Sequence, residues 1–265
     1  MTTPRAFIIR HGETEWSLNG RHTGTTELSL TANGERRIRA TGRALVGDDR
    51  LIVPHMLAHV YVSPRKRAQR TLELLSVVPR ERLPWECSAN NEDECRSDAT
   101  IEVTQDIREW DYGDYEGKTS AQIREERKRQ FGGTGAWDIW TDGCPGGESP
   151  EQVTERLDRL IARIRARFHG PAMAGSKGKT APGPSDVLLV AHGHILRAFA
   201  MRWIGKSLRD NPSMLLEAGG VGTLSYEHHA VDEPAIMLGG SFMVDVVENA
   251  EVDATSNETG TRASQ

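Results

Sequence analysis

The sequence predicts an α/β fold: a three-layer sandwich with a mostly parallel central sheet and helices on both faces. Two observations predict it. Several short apolar runs have the length of strands and few polar interruptions, which is typical of strands buried on both faces. Amphipathic helical patterns alternate with these runs along the 265-residue chain, as expected when helices connect parallel strands.

The predicted strands are the β-branched and apolar runs of the chain. Those at 6–9 and 187–190 are the clearest, because every residue in them is apolar. The others are predicted at 59–62, 101–103 and 222–226.

The predicted helices begin at recognisable caps. One runs from a Thr31 cap to about Val46, and a second from a Ser63 cap to Leu75, with Pro64 as its first residue. The strongest helix signal lies at 149–152, where a serine cap, a proline and a glutamine form a capping box. Apolar residues then recur on one face of that helix as far as 168. A last helix is predicted at about 194–204.

Three stretches are predicted to be irregular because they are polar or rich in small residues. These are a surface insertion at 87–100, a flexible loop at 170–185 and a frayed tail at 248–265. Since no insertion separates two apolar cores, we expect one domain over residues 1–247, followed by the tail.

The composition is that of a globular protein and argues against several classes. The net charge of -5 disfavours a nucleic-acid-binding protein, which is usually basic. No apolar run approaches the ~18 residues of a membrane span, and no apolar signal core follows Met1, so we expect a cytoplasmic protein without membrane contact, the nucleus left open. Cys87, Cys95 and Cys144 lie too far apart in the sequence for a zinc knuckle or a disulfide framework.

Cationic and imidazole side chains follow three of the predicted strands. They are Arg10 and His11 after the first strand, 65–67 after the second, and His192 and His194 after the fourth. Ligands of open α/β sheets bind where the carboxyl ends of strands meet. Each of these residues taken singly is more often structural or solvated, but together they predict a phosphoryl pocket, because the planar fork of arginine binds two oxygens at once.

Four segments resemble, in the same order, the motifs of the histidine phosphatase superfamily, the phosphoglycerate-mutase-like proteins. They are RHGETEW at 10–16, SPRKRAQRT at 63–71, IREWDYGDYEG at 107–117 and AHGH at 191–194. The resemblance implies the same α/β sandwich and an enzyme that transfers a phosphoryl group to histidine, with no metal and no other cofactor.

The resemblance also implies catalytic roles for individual residues. His11 is expected to be the nucleophile that forms a phosphohistidine. Arg10, Arg67 and His192 are expected to hold the phosphoryl oxygens and stabilise the transition state. Glu109 is expected to protonate the leaving alkoxide and then to take a proton from the attacking water.

Within the superfamily, residues 5–240 resemble the fungal sedoheptulose 1,7-bisphosphatase group. The resemblance is carried by the loop at 21–28, the acid segment at 108–117, the central segment at 137–148 and the C-terminal segment at 218–235. It implies a phosphoric monoester hydrolase whose ligand is a small phosphorylated sugar. The expected substrate-binding residues are His22, Thr23, Gly24, Ser63, Tyr112, Gly193, Arg197 and His228, of which Arg197 and His228 would bind the second phosphate.

Two departures from that group affect specificity. His22 stands where the group often has tyrosine, which changes one expected contact. The segment between Trp203 and Met214 is shorter than in some members, which removes part of a loop that would cover the cleft.

Other functions therefore stay open at this point. They are a broad-specificity sugar-phosphate phosphatase and, less favoured, a cofactor-dependent phosphoglycerate mutase. A catalytically inactive scaffold protein is disfavoured because His11, Glu109 and His192 are all present. The sequence leaves the oligomeric state open, a homo-oligomer included.

Overall fold

A computed structural model describes residues 3–85, 100–175, 183–210 and 213–242 of the chain. Its six strands are β1 (Ala6–Arg10), β2 (Leu57–Val62), β3 (Thr100–Val103), β4 (Asp186–Ala191), β5 (Val221–Tyr226) and β6 (Pro234–Phe242). Its α-helices are α1 (Glu15–Asn19), α2 (Ala32–Leu45), α3 (Lys66–Leu75), α4 (Ser120–Phe131), α5 (Ile139–Asp142), α6 (Pro150–Ile164), α7 (Gly170–Gly175) and α8 (Gly193–Trp203).

The strands form one sheet in the order β3-β2-β4-β1-β5-β6. The first four in this order are mutually parallel, whereas β5 is antiparallel to both β1 and β6. Parallel strands require crossover connections, and the connecting helices cover the sheet. The predicted α/β sandwich with a mostly parallel sheet is confirmed.

Alternate side chains of the strands point to opposite faces of the sheet, so the apolar core has two layers, one on each face. Phe7 and Ile9 of β1 pack with Ile38 of α2 and Leu72 of α3 on one face. On the opposite face, Ala6 and Ile8 pack with apolar residues of α6 and α8, among them Leu157, Leu160, Leu196 and Phe199. Successive side chains of a strand point to opposite faces, so one five-residue strand contributes to both layers.

The structure corrects the predicted start of the second helix. Helix α3 begins at Lys66, and its N-cap residue is Arg65, which makes no side-chain capping bond. The Ser63 hydroxyl instead lies 2.7 Å from Nε2 of His192. A serine before a proline has the composition of a helix cap, but here its side chain is used in a tertiary contact.

The predicted irregular stretches have three different outcomes. Within 170–185, the first six residues form α7, so the prediction of a loop is wrong there, and residues 176–182 lie outside the described residues. In the insertion predicted at 87–100, Thr100 belongs to β3 and the rest lies outside the described residues. The predicted tail at 248–265 also lies outside them.

Two elements had no strong signal in the hydrophobic pattern. Helix α4 buries only Ile123 among its twelve residues, so it lacks an apolar stripe, although Thr119 and Gln122 form a capping box. Strand β6 begins with Pro234 and contains two glycines, residue types that are depleted in strands but tolerated at a sheet edge. No helix in the described part of the chain is long and apolar enough to cross a membrane.

Candidate active site

The carboxyl ends of β1, β2 and β4 lie side by side and present their following residues to one pocket. Arg10 pairs with Ala191, and Val62 pairs with Val190, so the three strands end at the same level. The residues that follow β1 and β2 continue the hydrogen bonding with β4. His11 donates its backbone N–H to Ala191, and Ser63 donates its own to Val190.

The cavity at this edge has a volume of about 230 Å³. The predicted site residues that line it are Arg10, His11, His22, Thr23, Glu109, Tyr112, Gly193 and Arg197. Further lining side chains come from α1 and its flanks, from His194, and from 215–217, which precede β5. The structure thus brings together predicted residues as far apart in the chain as Arg10 and Arg197, because β1 ends and α8 begins at this edge.

His11 is held with one ring nitrogen free for chemistry. Nδ1 lies 2.7 Å from the carbonyl oxygen of Gly12, so Nδ1 carries the proton and donates it. Nε2 then holds a lone pair, and the ring is only 5% exposed. Burial, followed by the positive charges of Arg67 and Arg10, lowers the pKa of His11 well below its usual value. The imidazole is therefore neutral at neutral pH, which is the form that can attack phosphorus.

His192 has both ring nitrogens engaged by protein groups. Nε–H of Arg67 donates to its Nδ1 at 3.2 Å, which leaves the proton on Nε2, where it is donated to Ser63 Oγ at 2.7 Å. Burial, then Arg67, lowers the pKa of His192, so the ring stays neutral. Its ring packs edge-on against His11 at 5.1 Å. In this structure His192 supports the His11 ring rather than presenting a free donor to the pocket.

The two catalytic arginine candidates differ in how far they are already paired. Arg10 donates from Nη1 to the Leu216 carbonyl oxygen at 2.8 Å, while its Nε is buried without a partner in the described structure. Arg67 is fully buried and donates to the carbonyl oxygens of Thr23, Gly24 and Thr26 as well as to His192. Four of its five N–H groups have acceptors, so only one remains for a phosphoryl oxygen.

Glu109 lies where the acid segment meets the first turn of α8. One carboxylate oxygen accepts from the backbone N–H of Trp110 at 3.0 Å and of Ile195 at 2.9 Å, and the other accepts from His194 at 3.1 Å. A carboxylate at a helix N-terminus is stabilised by the unpaired N–H groups of the first turn. This arrangement holds Glu109 in the wall of the cavity that also contains His11.

His194 lies in the predicted pocket, but the sequence indicated no individual role for it. Its Nδ1 lies 2.7 Å from the Tyr112 hydroxyl, and its ring lies 5.6 Å from that of His22. Burial, and then the positive charge of Arg197, lowers the pKa of His194 well below its usual value. For His22, burial lowers the pKa and the negative charge of Glu116 raises it; burial has the larger effect, and the pKa is about 4. The signal that was available is its position, two residues after a second strand-end histidine.

Arg197 is a half-buried cation without a carboxylate partner in the described residues. Its guanidinium lies 5.2 Å from the ring centroid of Trp140 and donates hydrogen bonds to the carbonyl oxygens of Gly193 and Met214. Burial lowers its pKa, although arginine remains charged at any physiological pH. A half-buried guanidinium that lines the cavity and has no carboxylate partner in the described residues is suited to bind an anion.

Two predicted substrate-binding residues, Ser63 and Gly24, have other roles in the structure. Ser63 is fully buried and contacts His192 instead of the cavity. The backbone N–H of Gly24 is bonded to the Glu116 carboxylate at 2.8 Å and is not free for a ligand. His22 and Thr23 do line the cavity, and His22 contacts Ser120 at 3.2 Å through Nε2.

His228 is the clearest correction among the predicted site residues. It lies in the turn after β5, is 79% exposed at its side chain and contacts Glu233 Oε2 at 2.6 Å. Because β5 is antiparallel to β1, Leu224 pairs with Ala6, and the chain leaves β5 at the edge opposite the cavity. The neighbouring His229 accordingly contacts Thr3, which precedes β1.

No cluster of three or more histidine, cysteine, aspartate or glutamate side chains with the geometry of a metal site occurs in the described residues.

Comparisons with known proteins agree with this arrangement. Residues 6–90 and 92–233 match the family described as histidine phosphatase superfamily, branch 1. A sedoheptulose 1,7-bisphosphatase of Saccharomyces cerevisiae is 38% identical over 91% of this chain and 94% of its own length. An acid phosphatase of Mycobacterium tuberculosis is 33% identical over 84% of this chain and 87% of its own length.

Solved structures agree as well. The product of an open reading frame of Mycobacterium tuberculosis superposes with a TM-score of 0.63 at 28% identity, covering 89% of this chain and 97% of that one. A mycobacterial glucosyl-3-phosphoglycerate phosphatase shares the fold, with a TM-score of 0.62 at 21% identity over 88% of this chain and 97% of that one. The predicted family is confirmed: the chain belongs to branch 1 of the histidine phosphatase superfamily.

Proposed function

We propose that this protein is a metal-independent phosphatase that hydrolyses a sugar bisphosphate, with sedoheptulose 1,7-bisphosphate as the first candidate. The observation that carries the proposal is the state of His11, a buried neutral imidazole with Nδ1 bonded to Gly12 and Nε2 free in the cavity. The positive charge that phosphoryl transfer needs is built into the cavity as arginine side chains.

The reaction has two steps. Nε2 of His11 attacks phosphorus, an N–P bond forms, and the P–O bond to the sugar breaks as Glu109 gives a proton to the leaving oxygen. Water then attacks the phosphohistidine, Glu109 takes a proton from it, and the N–P bond breaks to release phosphate. Arg10, whose buried Nε lacks a partner in the described residues, is placed to bind a phosphoryl oxygen in both steps.

The second phosphate of the substrate is assigned to Arg197. Its guanidinium, which has no carboxylate partner in the described residues, lines the same cavity as His11. Tyr112, Thr23 and Gly193 also line this cavity, where sugar hydroxyls would bind. Support also comes from the yeast relative, which is named as a sedoheptulose 1,7-bisphosphatase and matches over nearly the whole chain.

A second candidate function is a phosphatase of broader specificity. Two observations favour it: His228 lies outside the cavity, which removes one predicted ligand of the second phosphate, and another relative, 33% identical, is named as an acid phosphatase. Relatives named as 2,3-bisphosphoglycerate-dependent phosphoglycerate mutases are 28–29% identical over 75–80% of this chain, which leaves mutase activity as the least supported candidate.

The test is phosphate release from matched pairs of substrates. Sedoheptulose 1,7-bisphosphate and sedoheptulose 7-phosphate differ by one phosphate, and His11→Ala is the blank. Conversion of 3-phosphoglycerate to 2-phosphoglycerate, which releases no phosphate, is measured separately and tests for the mutase. We expect kcat/KM to be at least ~10-fold higher for the bisphosphate, since a charge-assisted hydrogen bond contributes about 1.5–3 kcal/mol. Equal kcat/KM across the panel would support the broader phosphatase instead.

A further inference from the structure

The carboxylate of Glu116 binds three consecutive backbone N–H groups beside the candidate active site. Gly24 donates to Oε2 at 2.8 Å, and Thr25 and Thr26 donate to Oε1 at 3.1 and 2.9 Å. Consecutive N–H groups that converge in this way form an anion-binding concavity. The 23–26 loop therefore contains an anion site that a side chain of the protein itself fills.

The opposite side of the same loop binds Arg67. Its Nη2 donates to the carbonyl oxygens of Thr23 at 2.9 Å and Gly24 at 3.3 Å, and its Nη1 donates to that of Thr26 at 2.8 Å. Arg67 is fully buried, and in the described structure no carboxylate lies within ion-pair distance of it. The charges of Glu109 and Glu27 favour the guanidinium from a distance. Without a direct counter-ion, a buried guanidinium also needs oriented dipoles around it.

Two peptide groups connect these two charges. In the peptides 23–24 and 24–25, the carbonyl oxygen accepts from Arg67 and the N–H donates to Glu116. Each peptide dipole of ≈3.5 D thus has its negative end at the guanidinium and its positive end at the carboxylate. Hydrogen bonds in such a chain polarise one another, so each end strengthens the bond at the other.

We infer that Glu116 is a positioning residue for Arg67, a counter-ion that acts through two peptide groups rather than by direct contact. The inference rests on the proposed function, because it concerns the orientation of a proposed catalytic arginine. Arg67 in turn donates to Nδ1 of His192, whose ring packs against His11. Glu116 thereby acts on the nucleophile through the loop, Arg67 and His192.

The packing of Gly24 shows that the loop has little freedom to rearrange. A Cβ atom at this position would lie 2.5 Å from the carbonyl oxygen of Trp110 and 3.1 Å from Oε2 of Glu116. Trp110 directly follows the proposed acid Glu109. The loop is therefore held between the acid segment and Arg67, and Glu116 determines which way its peptide groups point.

The first test is a double-mutant cycle between Glu116→Gln and Arg67→Lys, with Glu125→Gln on the exposed side of α4 as the matched control. The amide keeps the shape of Glu116 but replaces one acceptor with a donor that faces an N–H group. We expect Glu116→Gln to lower kcat for an aryl phosphate by about 10-fold with little change in KM, because removing a transition-state donor outright costs 10²–10³-fold. Inhibition by orthovanadate, which mimics the transition state, should weaken in parallel.

In the Arg67→Lys background, Glu116→Gln should have little further effect on kcat. If the two residues acted independently, the fold-losses of kcat of the two single variants would multiply in the double variant. A multiplied loss, or no loss from Glu116→Gln in the otherwise unchanged protein, would overturn the inference. If Arg67→Lys itself leaves turnover unchanged, the proposed role of Arg67 fails instead, so the two failures are distinguishable. Unfolding midpoints of all variants establish that they are folded.

The second test is chemical rescue. Glu116→Ala leaves the three N–H groups without an acceptor, and added formate supplies a carboxylate of the right size. We expect formate to restore part of kcat in Glu116→Ala and to leave Glu125→Ala unaffected. Absence of rescue in a folded Glu116→Ala protein would argue against the carboxylate as the element that orients the loop.

Discussion

The histidines at the two ends of the sheet differ in burial, in hydrogen-bond partners and in the direction of their pKa shifts. His11 and His192 follow β1 and β4 at one edge, and both are almost or fully buried. His228 follows β5 at the opposite edge and is exposed. All three come directly or shortly after a buried strand, so the sequence context is similar, but the antiparallel direction of β5 carries its histidine away from the cavity.

The two environments shift the imidazole pKa in opposite directions. Burial and neighbouring arginines lower the pKa of His11, whereas a hydrogen bond to Glu233 raises that of His228. A buried neutral ring with one nitrogen bonded to a carbonyl is a nucleophile; an exposed ring paired with a carboxylate is not. The edge of the sheet at which a histidine lies therefore decides its chemistry.

Replacing each histidine in turn tests most directly whether only the one at the cavity contributes to turnover. His11→Ala should lower kcat by at least about 10⁴-fold, since no other group replaces a covalent nucleophile. His228→Ala should leave kcat and KM unchanged for both the bisphosphate and the monophosphate. A raised KM for the bisphosphate in His228→Ala would show that the turn after β5 reaches the substrate and would contradict its position in the structure.

Glu109 lines the cavity at the same end of the sheet as His11, and its replacement should give the next largest loss of kcat. Glu109→Gln should lower kcat by about 10²–10⁴-fold for sugar phosphates, whose alkoxide needs a proton to leave. The loss should be smaller for p-nitrophenyl phosphate, because its leaving group is already stable as an anion. Single-turnover rates with both substrates measure this, and equal losses would argue against the role as a proton donor.

Replacing Arg197 tests whether the cavity that contains His11 also binds a second phosphate. Arg197→Met keeps much of the packing on Trp140 but removes the charge, so KM for the bisphosphate should rise by about 10–100-fold, the equivalent of about 1.5–3 kcal/mol. KM for a monophosphate should change much less. Steady-state kinetics with the pair of sedoheptulose phosphates provide the measurement, with Arg209→Met, an exposed arginine paired with Glu151, as the control. A similar rise for both substrates would assign Arg197 to the first phosphate or to structure.

The smallest expected effect is the difference in the pH at which His11 and His228 become protonated. Because the pKa of His11 is lowered, its ring stays neutral as the pH falls through the ordinary histidine value of about 6.5, whereas His228 becomes protonated above that pH. NMR titration of the imidazole resonances, assigned with His11→Asn and His228→Asn, should show this order. A His11 resonance that titrates at or above 6.5 would mean that burial does not control its charge.

Much of the fold was predictable because its signals are local. Buried parallel strands appear as short apolar runs, and caps such as Ser149 with Pro150 mark a helix within four residues, as α6 confirms. Helix α4 has a capping box but no apolar stripe, because it is nearly all polar. Strand β6 lacks the apolar pattern of a strand, because it contains proline and glycine at a sheet edge.

The candidate site divides in the same way. The residues that directly follow parallel strands, such as His11 and His192, were identified because parallel strands must end at one edge. Ser63 and Gly24 were assigned to the substrate, yet the structure engages one with His192 and the other with Glu116. Hydrogen-bond partners 90 or more residues apart leave no periodicity or spacing in the chain from which they could be read.

The chain alone specifies the layers of the sandwich, the family and the proposed nucleophile, since each depends on residues that lie together in a strand, a cap or a motif. The direction of β5, and with it the exclusion of His228, depends on which strand pairs with which, and that is settled by packing of the whole sheet. The same holds for the link from Glu116 through the 23–26 loop to Arg67, because its members meet only once the chain has folded.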